Sequence, residues 1–368
     1  MTIVIKIGSN IIADEKGLAE KEMQAIVADI SSVSDMGHDV VVVSSGAVAA
    51  GMRKLGLKRK PMDIKLKQAS AAIGQSSLMW AYERCFNAHG KKVAQVLLTR
   101  DDISDRKRYM NSRNTLLTLI SYGVIPVINE NDTVAIDEIR FGDNDQLAAM
   151  VASLVSAERL IILSDVEGLY SEDPKKNPRA ELIKTVNEIT AHMLKTAKGE
   201  GALGTGGMLS KLLAADKAVG SGITVNIING KKHGLLQSLL NGHSHGTEFS
   251  SRKGRLSAKK GWIAFGIKPK GSIVIDEGAK KALISLGRSL LPSGIIKTEG
   301  SFEAGDAVYC LDSGGVRIAK GLTNYSSEEI EKIKGKKTSD IEKALGFKYS
   351  DEIIHRDNMV ILLRASGN

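Results

Sequence analysis

The sequence predicts a two-domain α/β protein, with a three-layer sandwich around a mostly parallel sheet and a smaller, mostly β domain after it. Its 368 residues are too many for one ordinary domain and fit two. Up to about residue 230, short β-branched runs alternate with longer amphipathic runs; beyond about residue 260, the apolar runs are short and separated by glycines. The first pattern is typical of a layered α/β fold and the second of a small β barrel with one or two helices.

The predicted strands of the first domain are apolar along most of their length, as strands buried on both faces are. They lie at 2–7, 39–45, 92–99, 124–130, 159–165 and 225–229. Helices are predicted between them, at about 20–36, 63–88, 107–122, 144–156 and 208–220. Repeated strand–helix–strand units at this spacing predict parallel strands with helices on both faces of the sheet.

The boundary between the domains is predicted from a change in composition. The segment NGHSHGTEFSSRKGR, which starts at residue 241, has no apolar period and is rich in Gly, Ser, His and basic residues, as linkers are. Glycine-punctuated runs follow, from WIAFGIKPKG to NMVILL, and we interpret them as short strands. We expect a first domain over residues 1–250, a linker over 251–260 and a second domain over 261–368.

Composition narrows the class of protein. Hydrophobic residues make up 42% and charged residues 25%, as in globular proteins, and no run approaches the roughly 18 apolar residues that a membrane span needs. Cys85 and Cys310 are far apart, which predicts reduced thiols or plain core residues rather than a disulfide or metal ligands. Together with the lack of a predicted membrane span, this leads us to expect a soluble, cytoplasmic protein without membrane contact. The net charge of +9 is concentrated towards the C-terminus, where residues 254–368 hold 19 Lys/Arg against 14 Asp/Glu. A polyanionic partner is therefore permitted there but not required.

Polar residues follow the predicted strands at the edge where parallel sheets bind ligands. They are Lys6-Ile7-Gly8-Ser9-Asn10, Ser44-Ser45-Gly46-Ala47, Asn129-Glu130-Asn131-Asp132, Gly142-Asp143-Asn144-Asp145, Ser164-Asp165 with Gly168 and Tyr170 close behind, and the glycine loop 204–207 before Lys211. Each alone is consistent with ordinary turn or helix-cap chemistry. Together they favour a site for an anion and an amino acid.

These residue types fit phosphoryl transfer. Glycine loops that lead into helices present backbone N–H groups to phosphate oxygens. Lys6 and Lys211 could neutralise a phosphoryl group in transfer, with Asp143 and Asp145 positioning the ammoniums or binding Mg²⁺ through water. The loop at 204–211 is not a Walker A motif, because it lacks a Gly-Lys-Ser/Thr triplet.

The residues that would bind the phosphoryl acceptor are rich in amides and include no clear general base. Asn129, Asn131, Asp132 and Asn144 suit an α-amino and an α-carboxyl group. No Cys–His, Ser–His or HxxE arrangement lies at a strand end, which argues against covalent catalysis and a zinc site. Because a carboxylate acceptor arrives ionised and needs no general base, a lysine-rich, base-poor site favours formation of an acyl phosphate.

Six ordered motifs now allow a family comparison. VIKIGSN, VVVSSGAVAAG, VINENDTV, FGDNDQLAA, LSDVEGLY and GTGGMLSK resemble those of the glutamate 5-kinases of the amino acid kinase family, over about residues 1–250. The part from about residue 260 is similar to a PUA domain. The resemblance implies an amino-acid-kinase-like sandwich followed by a PUA-like barrel.

The resemblance also implies an activity. It is ATP-dependent phosphorylation of the L-glutamate γ-carboxylate to L-glutamyl 5-phosphate by direct in-line transfer, the first step of proline biosynthesis. It implies Mg²⁺, proline as feedback inhibitor, a homo-oligomer, and transient contact with the glutamyl phosphate reductase that uses the product.

Residue roles follow motif by motif from the same resemblance. Lys6, Lys211 and Asp145 correspond to the catalytic residues, and Ser45, Asp132 and Asn144, with Asn129 beside them, correspond to the glutamate-binding residues. The implied ATP-binding residues are Lys6, Gly8, Ser164, Asp165, Thr205, Gly206, Gly207, Met208, Leu209, Ser210 and Lys211. Two departures from the family pattern, Ser164 in place of Thr and the bulkier Leu209, bear on ATP affinity rather than on the assignment.

Two alternatives stay open at this point. Another acid kinase or a nucleoside monophosphate kinase would share the fold, although the NEND and GDND motifs argue against it. An RNA-binding role would rest on the basic, PUA-like part of the chain. RNA recognition commonly uses exposed aromatic side chains, and several of the few aromatics there lie at predicted core positions, so we favour a structural or regulatory role. Steeply salt-dependent retention of RNA would reverse that preference.

Overall fold

The computed structural model describes residues 1–14, 17–57, 59, 61–134, 144–174, 176–198, 207–250 and 258–362. The chain divides into two compact units, Met1–Arg255 and Leu256–Asn368. No helix among the described residues is long and apolar enough to cross a bilayer.

The first unit is built on one eight-stranded sheet with the order β5-β6-β4-β1-β7-β9-β10-β8. Its strands, together with the small hairpin β2–β3, are β1 (Thr2–Ile7), β2 (Ala13–Asp14), β3 (Gly17–Leu18), β4 (Asp39–Ser44), β5 (Lys92–Leu98), β6 (Val124–Glu130), β7 (Arg159–Ser164), β8 (Thr185–Val186), β9 (Thr224–Asn229) and β10 (Thr247–Phe249). The first six strands in this order, which are β5, β6, β4, β1, β7 and β9, pair in parallel with their neighbours. Strand β10 runs antiparallel to β9. The predicted mostly parallel sheet is confirmed.

Helices connect these strands. They are α1 (Ser9–Ile12), α2 (Glu20–Asp35), α3 (Ala47–Lys54), α4 (Ile64–Asn87), α5 (Arg100–Ser104), α6 (Arg106–Ser121), α7 (Asp145–Leu154), α8 (Ala191–Lys198), α9 (Met208–Gly220) and α10 (Leu235–Leu240). The five predicted helices correspond to α2, α4, α6, α7 and α9. The interpretation of the segment from residue 241 as linker was wrong in part, because Thr247–Phe249 adds a strand to the sheet and buries Phe249 completely. Three residues are too few to show a period in the sequence.

The two faces of the sheet are covered by different helices. On one face, Ile3, Ile5 and Ile7 of β1 belong to a core that includes the apolar side of α2. Side chains alternate along a strand, so Val4 and Lys6 point to the opposite face, where α7 packs against β1 and β7. A lysine therefore lies inside the sandwich on the α7 side.

Helices α3 and α4 cross with their backbones in contact. A Cβ atom on Gly74 would lie 1.8 Å from the carbonyl oxygen of Ala47, and one on Gly51 would lie 1.7 Å from that of Ser70. Only glycine permits this approach, which holds the start of α3 beside the end of β4. Gly46, the N-cap of α3, has a φ of 105°, a conformation that L side chains rarely adopt.

The second unit has a five-stranded sheet with the order β12-β11-β13-β14-β15. Its elements are α11 (Ala258–Gly261), β11 (Gly271–Ile275), α12 (Glu277–Leu286), β12 (Ile295–Glu299), β13 (Ala307–Leu311), β14 (Arg317–Leu322), α13 (Ser327–Ile333), α14 (Ile341–Leu345) and β15 (Met359–Ile361). The predicted mostly β domain is confirmed, although residues 258–362 carry four short helices where one or two were expected. Trp262–Gly266 forms a π-helical turn rather than the predicted strand, with Trp262 and Ile263 buried.

The glycine contact between α3 and α4 gives a stability prediction. Gly74→Ala places a methyl group where the Ala47 carbonyl lies, and we expect the free energy of unfolding to fall by about 1–3 kcal/mol. Urea denaturation followed by circular dichroism measures it. Ser76→Thr adds one methyl group at an exposed position of the same helix and is the control. Equal stability of Gly74→Ala and wild type would contradict the close crossing.

Candidate functional site

Two buried lysines share one buried carboxylate at the centre of the first unit. Lys6 Nζ lies 2.5 Å from Asp145 Oδ1, and Lys211 Nζ lies 3.2 Å from Asp145 Oδ2. Asp145 is fully buried, and the two lysines are 3% and 6% exposed. The three side chains carry a net charge of +1 in a place shielded from water, where electrostatic interactions are strong.

Packing of β1, α7 and α9 brings these residues together. Lys6 pairs with Val43 of β4 and Ile162 of β7, which places it in the middle of the sheet near its carboxyl edge. Helices α7 and α9 pack on each other through faces rich in buried alanine. Their first turns, which hold Asp145 and Lys211, therefore meet above Lys6.

The N-terminus of α9 opens next to this charge cluster. Gly207 is its N-cap and is exposed, and apart from its chain neighbours no described residue comes within 4 Å of where a Cβ would stand. The first N–H groups of a helix have no acceptor within that helix and carry part of the positive end of its dipole. Gln146 of α7 donates to the Ser210 carbonyl at 3.2 Å and so fixes this turn against α7. Met208 and Leu209 are half-buried in the same turn.

Asp165 follows β7 at the same edge. It accepts a hydrogen bond from Asn10 Nδ2 at 3.0 Å, and the buried Ser164 hydroxyl donates to it at 3.4 Å. Desolvation raises the pKa of the Asp165 carboxyl, but the Asn10 hydrogen bond, its own backbone N–H and the Lys211 charge together lower the pKa below its usual value. Asp165 is therefore an ionised carboxylate within the field of Lys211.

Gly8 leaves space above Lys6. Its φ of −71° is open to any residue, so its backbone conformation does not demand glycine. A Cβ there would stand 3.8 Å from Lys6 Nζ and 3.4 Å from the Leu163 carbonyl oxygen. A larger side chain would grow from that point beside the ammonium, whereas glycine leaves this approach clear.

The predicted acceptor residues lie on the other side of Asp145. Asn144 is buried, and its Nδ2 donates to Asn129 Oδ1 at 2.7 Å and to the Ser44 carbonyl. Ser45, half-buried, follows Ser44 and precedes the start of α3. Because Asn144 and Asp145 are consecutive, the amide-lined part and the lysine pair form one continuous site.

Asp132 lies just beyond the end of β6. Partial burial raises the pKa of its carboxyl to about 6, although the nearby Lys67 ammonium of α4 lowers it. Burial thus places the titration of this carboxyl close to neutral pH.

The structure places most of the predicted site residues at one edge of the sheet. Lys6, Asp145 and Lys211 are in contact, and Asn129 is in contact with Asn144. Thr205 and Gly206 of the predicted ATP-binding loop, and Asp143, lie outside the described residues.

Sequence reasoning assigned no role to several residues that contact the site. Asn10 belongs to the segment after β1 that the sequence singled out, but it was given no role there. Gln75, Tyr82 and Gln146 are in helices, where only the packing of one helix on another element brings them to the site.

Comparison with known proteins shows the family to which the chain belongs. The model of the amino acid kinase family matches residues 1–229, and the PUA domain model matches residues 271–345. Glutamate 5-kinase of Caldanaerobacter subterraneus subsp. tengcongensis is 52% identical over 366 residues, 99% of this chain and 98% of its own. Glutamate 5-kinase of Geobacter sp. strain M21 is 49% identical over 362 residues, 98% and 97% of the two chains.

Among solved structures, carbamate kinase from Giardia lamblia aligns with a TM-score of 0.49 and 17% identity, covering 68% of this chain and 98% of its own. That likeness is too remote to bear on function. The match to the family model and the relatives that align along nearly the whole chain are decisive. The chain belongs to the amino acid kinase family, among its glutamate 5-kinases that carry a PUA domain.

Proposed function

We propose that this chain transfers the γ-phosphoryl group of ATP to the γ-carboxylate of L-glutamate, giving L-glutamyl 5-phosphate as the first step of proline biosynthesis. The observation that carries the proposal is the pair of buried lysines on Asp145, continuous with an amide-lined acceptor side. Relatives about half identical to the chain bear the name of this enzyme.

The lysine pair supplies the electrostatic part of catalysis. A transferring phosphoryl group spreads negative charge over its three equatorial oxygens. Lys6 and Lys211 would face that charge from β1 and from α9, while Asp145 holds both ammoniums in place before the nucleotide binds. Prearranged charge of this kind stabilises a transition state without reorganisation during the reaction.

No general base is needed for the bond changes. An oxygen of the glutamate γ-carboxylate forms a bond to the γ-phosphorus, and the bond from that phosphorus to the bridging oxygen of ADP breaks. The electron pair of the broken bond remains on ADP. Because the attacking carboxylate carries no proton, the reaction needs only alignment and charge neutralisation.

We assign the acceptor residues by their chemistry. The carboxylate of Asp132 and the side-chain carbonyl of Asn144 suit the α-ammonium group of glutamate. The Ser45 hydroxyl, together with the first N–H groups of α3, suits the α-carboxylate. Asn129 orients Asn144 through their hydrogen bond.

On the residues that the structure describes, magnesium fits this site as an ion shared with the nucleotide. The described residues contain no cluster of three His, Cys, Asp or Glu that could hold a metal by themselves. Asp145 is occupied by the two lysines, and among the described residues Asp165, ionised and exposed at the sheet edge, is a side chain that would hold the ion. When bound, Mg²⁺ neutralises charge on nucleotide phosphates, and it commonly uses one or two carboxylates for this.

Other properties are proposed from the family resemblance alone. They are inhibition by proline, a homo-oligomeric state, a cytoplasmic location and transient contact with glutamyl phosphate reductase. Such contact would protect the product, since an acyl phosphate is a mixed anhydride that water cleaves readily.

For the second unit we propose a structural or regulatory role rather than sequence-specific RNA recognition. Trp262, Phe302 and Tyr325 are buried in it and so are not available for base stacking. Phe347 and Tyr349 are exposed, but they lie against each other with ring centroids 4.7 Å apart.

The activity is tested by trapping the product. With ATP, Mg²⁺ and L-glutamate, the wild type should form glutamyl hydroxamate when hydroxylamine is present. Lys211→Met removes one ammonium from the phosphoryl group, and we expect kcat to fall about 10²–10³-fold. Lys92→Met, at the amino end of β5 and on the opposite edge of the sheet, should retain wild-type activity. Near-normal turnover by Lys211→Met would remove this residue from the mechanism.

Removal of the shared carboxylate should also destabilise the fold. Asp145→Asn leaves two buried ammoniums without their counter-charge, and we expect the free energy of unfolding to fall by about 3–5 kcal/mol. Urea denaturation measures it. Asp35→Asn removes an exposed carboxylate that pairs with Lys91 at 2.5 Å and should change stability by about 0–1 kcal/mol. Comparable losses in the two variants would contradict a buried charge cluster.

Glutamate binding should depend on the ionisation of Asp132. Its pKa of about 6 means that the carboxyl becomes protonated as pH falls through 6 and then loses its attraction for the substrate ammonium. We therefore expect the KM for glutamate to rise below pH 6 while the KM for ATP stays level. Asp132→Asn should have a raised KM with no such pH dependence. A wild-type KM for glutamate that stays constant between pH 5 and 7 would contradict the assignment of Asp132.

A further inference from the structure

A chain of hydrogen bonds that begins and ends on helix α4 borders the glutamate side of the site. Tyr82 Oη and Ser44 Oγ are 2.8 Å apart, and the Ser44 carbonyl accepts from Asn144. Asn144 also donates to Asn129 at 2.7 Å, and Asn129 Nδ2 donates to Gln75 Oε1 at 2.7 Å. Gln75 and Tyr82 are seven residues apart on α4 and so lie on one face of that helix. Helix α4 therefore holds both ends of the chain of bonds that orients Asn144.

Carboxamide chemistry fixes the direction of the hydrogen bonds that Asn144, Asn129 and Gln75 make with one another. A carboxamide has an accepting oxygen on one branch and a donating nitrogen on the other. Asn129 Oδ1 already accepts from Asn144 and, at 2.9 Å, from the backbone N–H of Glu130. Its Nδ2 must therefore face an acceptor on the other side, and Gln75 Oε1 is that acceptor.

The same reasoning extends to Asn144. Its Nδ2 donates both to Asn129 and to the Ser44 carbonyl, so the nitrogen branch is directed into the protein. The carbonyl branch of Asn144 therefore points away from Asn129 and the Ser44 carbonyl. If Asn129 rotated by half a turn, its NH₂ group would face two donors, which is unfavourable at a buried position.

We propose that Gln75 is a positioning residue for the amino-acid substrate. By accepting a hydrogen bond from Asn129, it keeps the side-chain amides of Asn129 and Asn144 in one orientation. In that orientation the carbonyl oxygen of Asn144 faces the ammonium group of the substrate. This inference rests on the function proposed above. Gln75 itself does not touch the substrate, and it acts through Asn129 and Asn144.

The proposal predicts a specific kinetic signature. Loss of the Gln75 acceptor leaves the buried NH₂ of Asn129 without its partner and allows the two amides to reorient, whereas the Lys6–Asp145–Lys211 cluster is unchanged. Binding of glutamate should weaken about tenfold, a loss typical of one buried hydrogen bond. Binding of ATP should not change.

The test compares two substitutions at this position. Gln75→Met has similar length and no strong acceptor, whereas Gln75→Glu keeps an accepting oxygen at the same place. We expect the KM for glutamate to rise about tenfold in Gln75→Met and to stay within about threefold of wild type in Gln75→Glu. The KM for ATP should be unchanged in both. Ser76→Ala, an exposed neighbour on α4, is the control for general effects on the helix.

Thermal unfolding of each variant separates positioning from structural support. If Gln75 only packs α4, Gln75→Met lowers the melting temperature and leaves the KM for glutamate at the wild-type value, and the proposal is wrong. It is also wrong if the KM values for glutamate and ATP rise together. Should Gln75→Met fail to fold, Gln75→Ala takes its place with the same expected result.

These measurements distinguish a wrong role for Gln75 from a wrong overall function. A wild-type protein that forms no hydroxamate with glutamate and ATP would overturn the function itself. An active wild type whose Gln75→Met variant matches it in KM for glutamate would overturn only the role of Gln75.

Discussion

The site depends on one buried carboxylate that two ammonium groups share. Asp145 is fully buried, and without it two positive charges would face each other in a space that water does not reach. A buried charge is tolerated when it is paired, and here the pairing leaves one net positive charge for an incoming anion. The same ion cluster thus fixes the geometry of β1, α7 and α9 and sets the electrostatics of the phosphoryl side.

The rest of the first unit positions that cluster against an acceptor side. The parallel strands end at one edge, and α7 starts there with Asn144 followed by Asp145, so that adjacent residues serve the two halves of the site. Helix α4 lies behind the acceptor side and holds its amides through Gln75 and Tyr82. Gly51 of α3 and Gly74 of α4 allow the backbones of these two helices to touch, which places α4 next to the end of β4.

The sequence predicted the layered fold because its physical signals are local. Strands buried on both faces read as continuous apolar runs, and the polar residues that follow them must gather at one edge of a parallel sheet. Lys6, Asn129, Asp145 and Lys211 were identified in this way. Thr247–Phe249 was interpreted as part of a linker-like segment at the end of the first domain, and Trp262–Gly266 as a strand. Segments of three to five residues carry little periodic signal, and tertiary contacts decide their conformation.

By itself, then, the sequence determined the two-domain organisation, the parallel sheet, the family and the residue types gathered at the sheet edge. Only the tertiary structure decided which side chains meet: that Lys6 and Lys211 share Asp145, and that Gln75 of α4 reaches Asn129. The physical reason is that strand ends follow from local patterns, whereas the choice of partner depends on how helices distant in the chain pack over the sheet. Hydrogen-bond direction, which fixes the orientation of Asn144, exists only once that packing is complete.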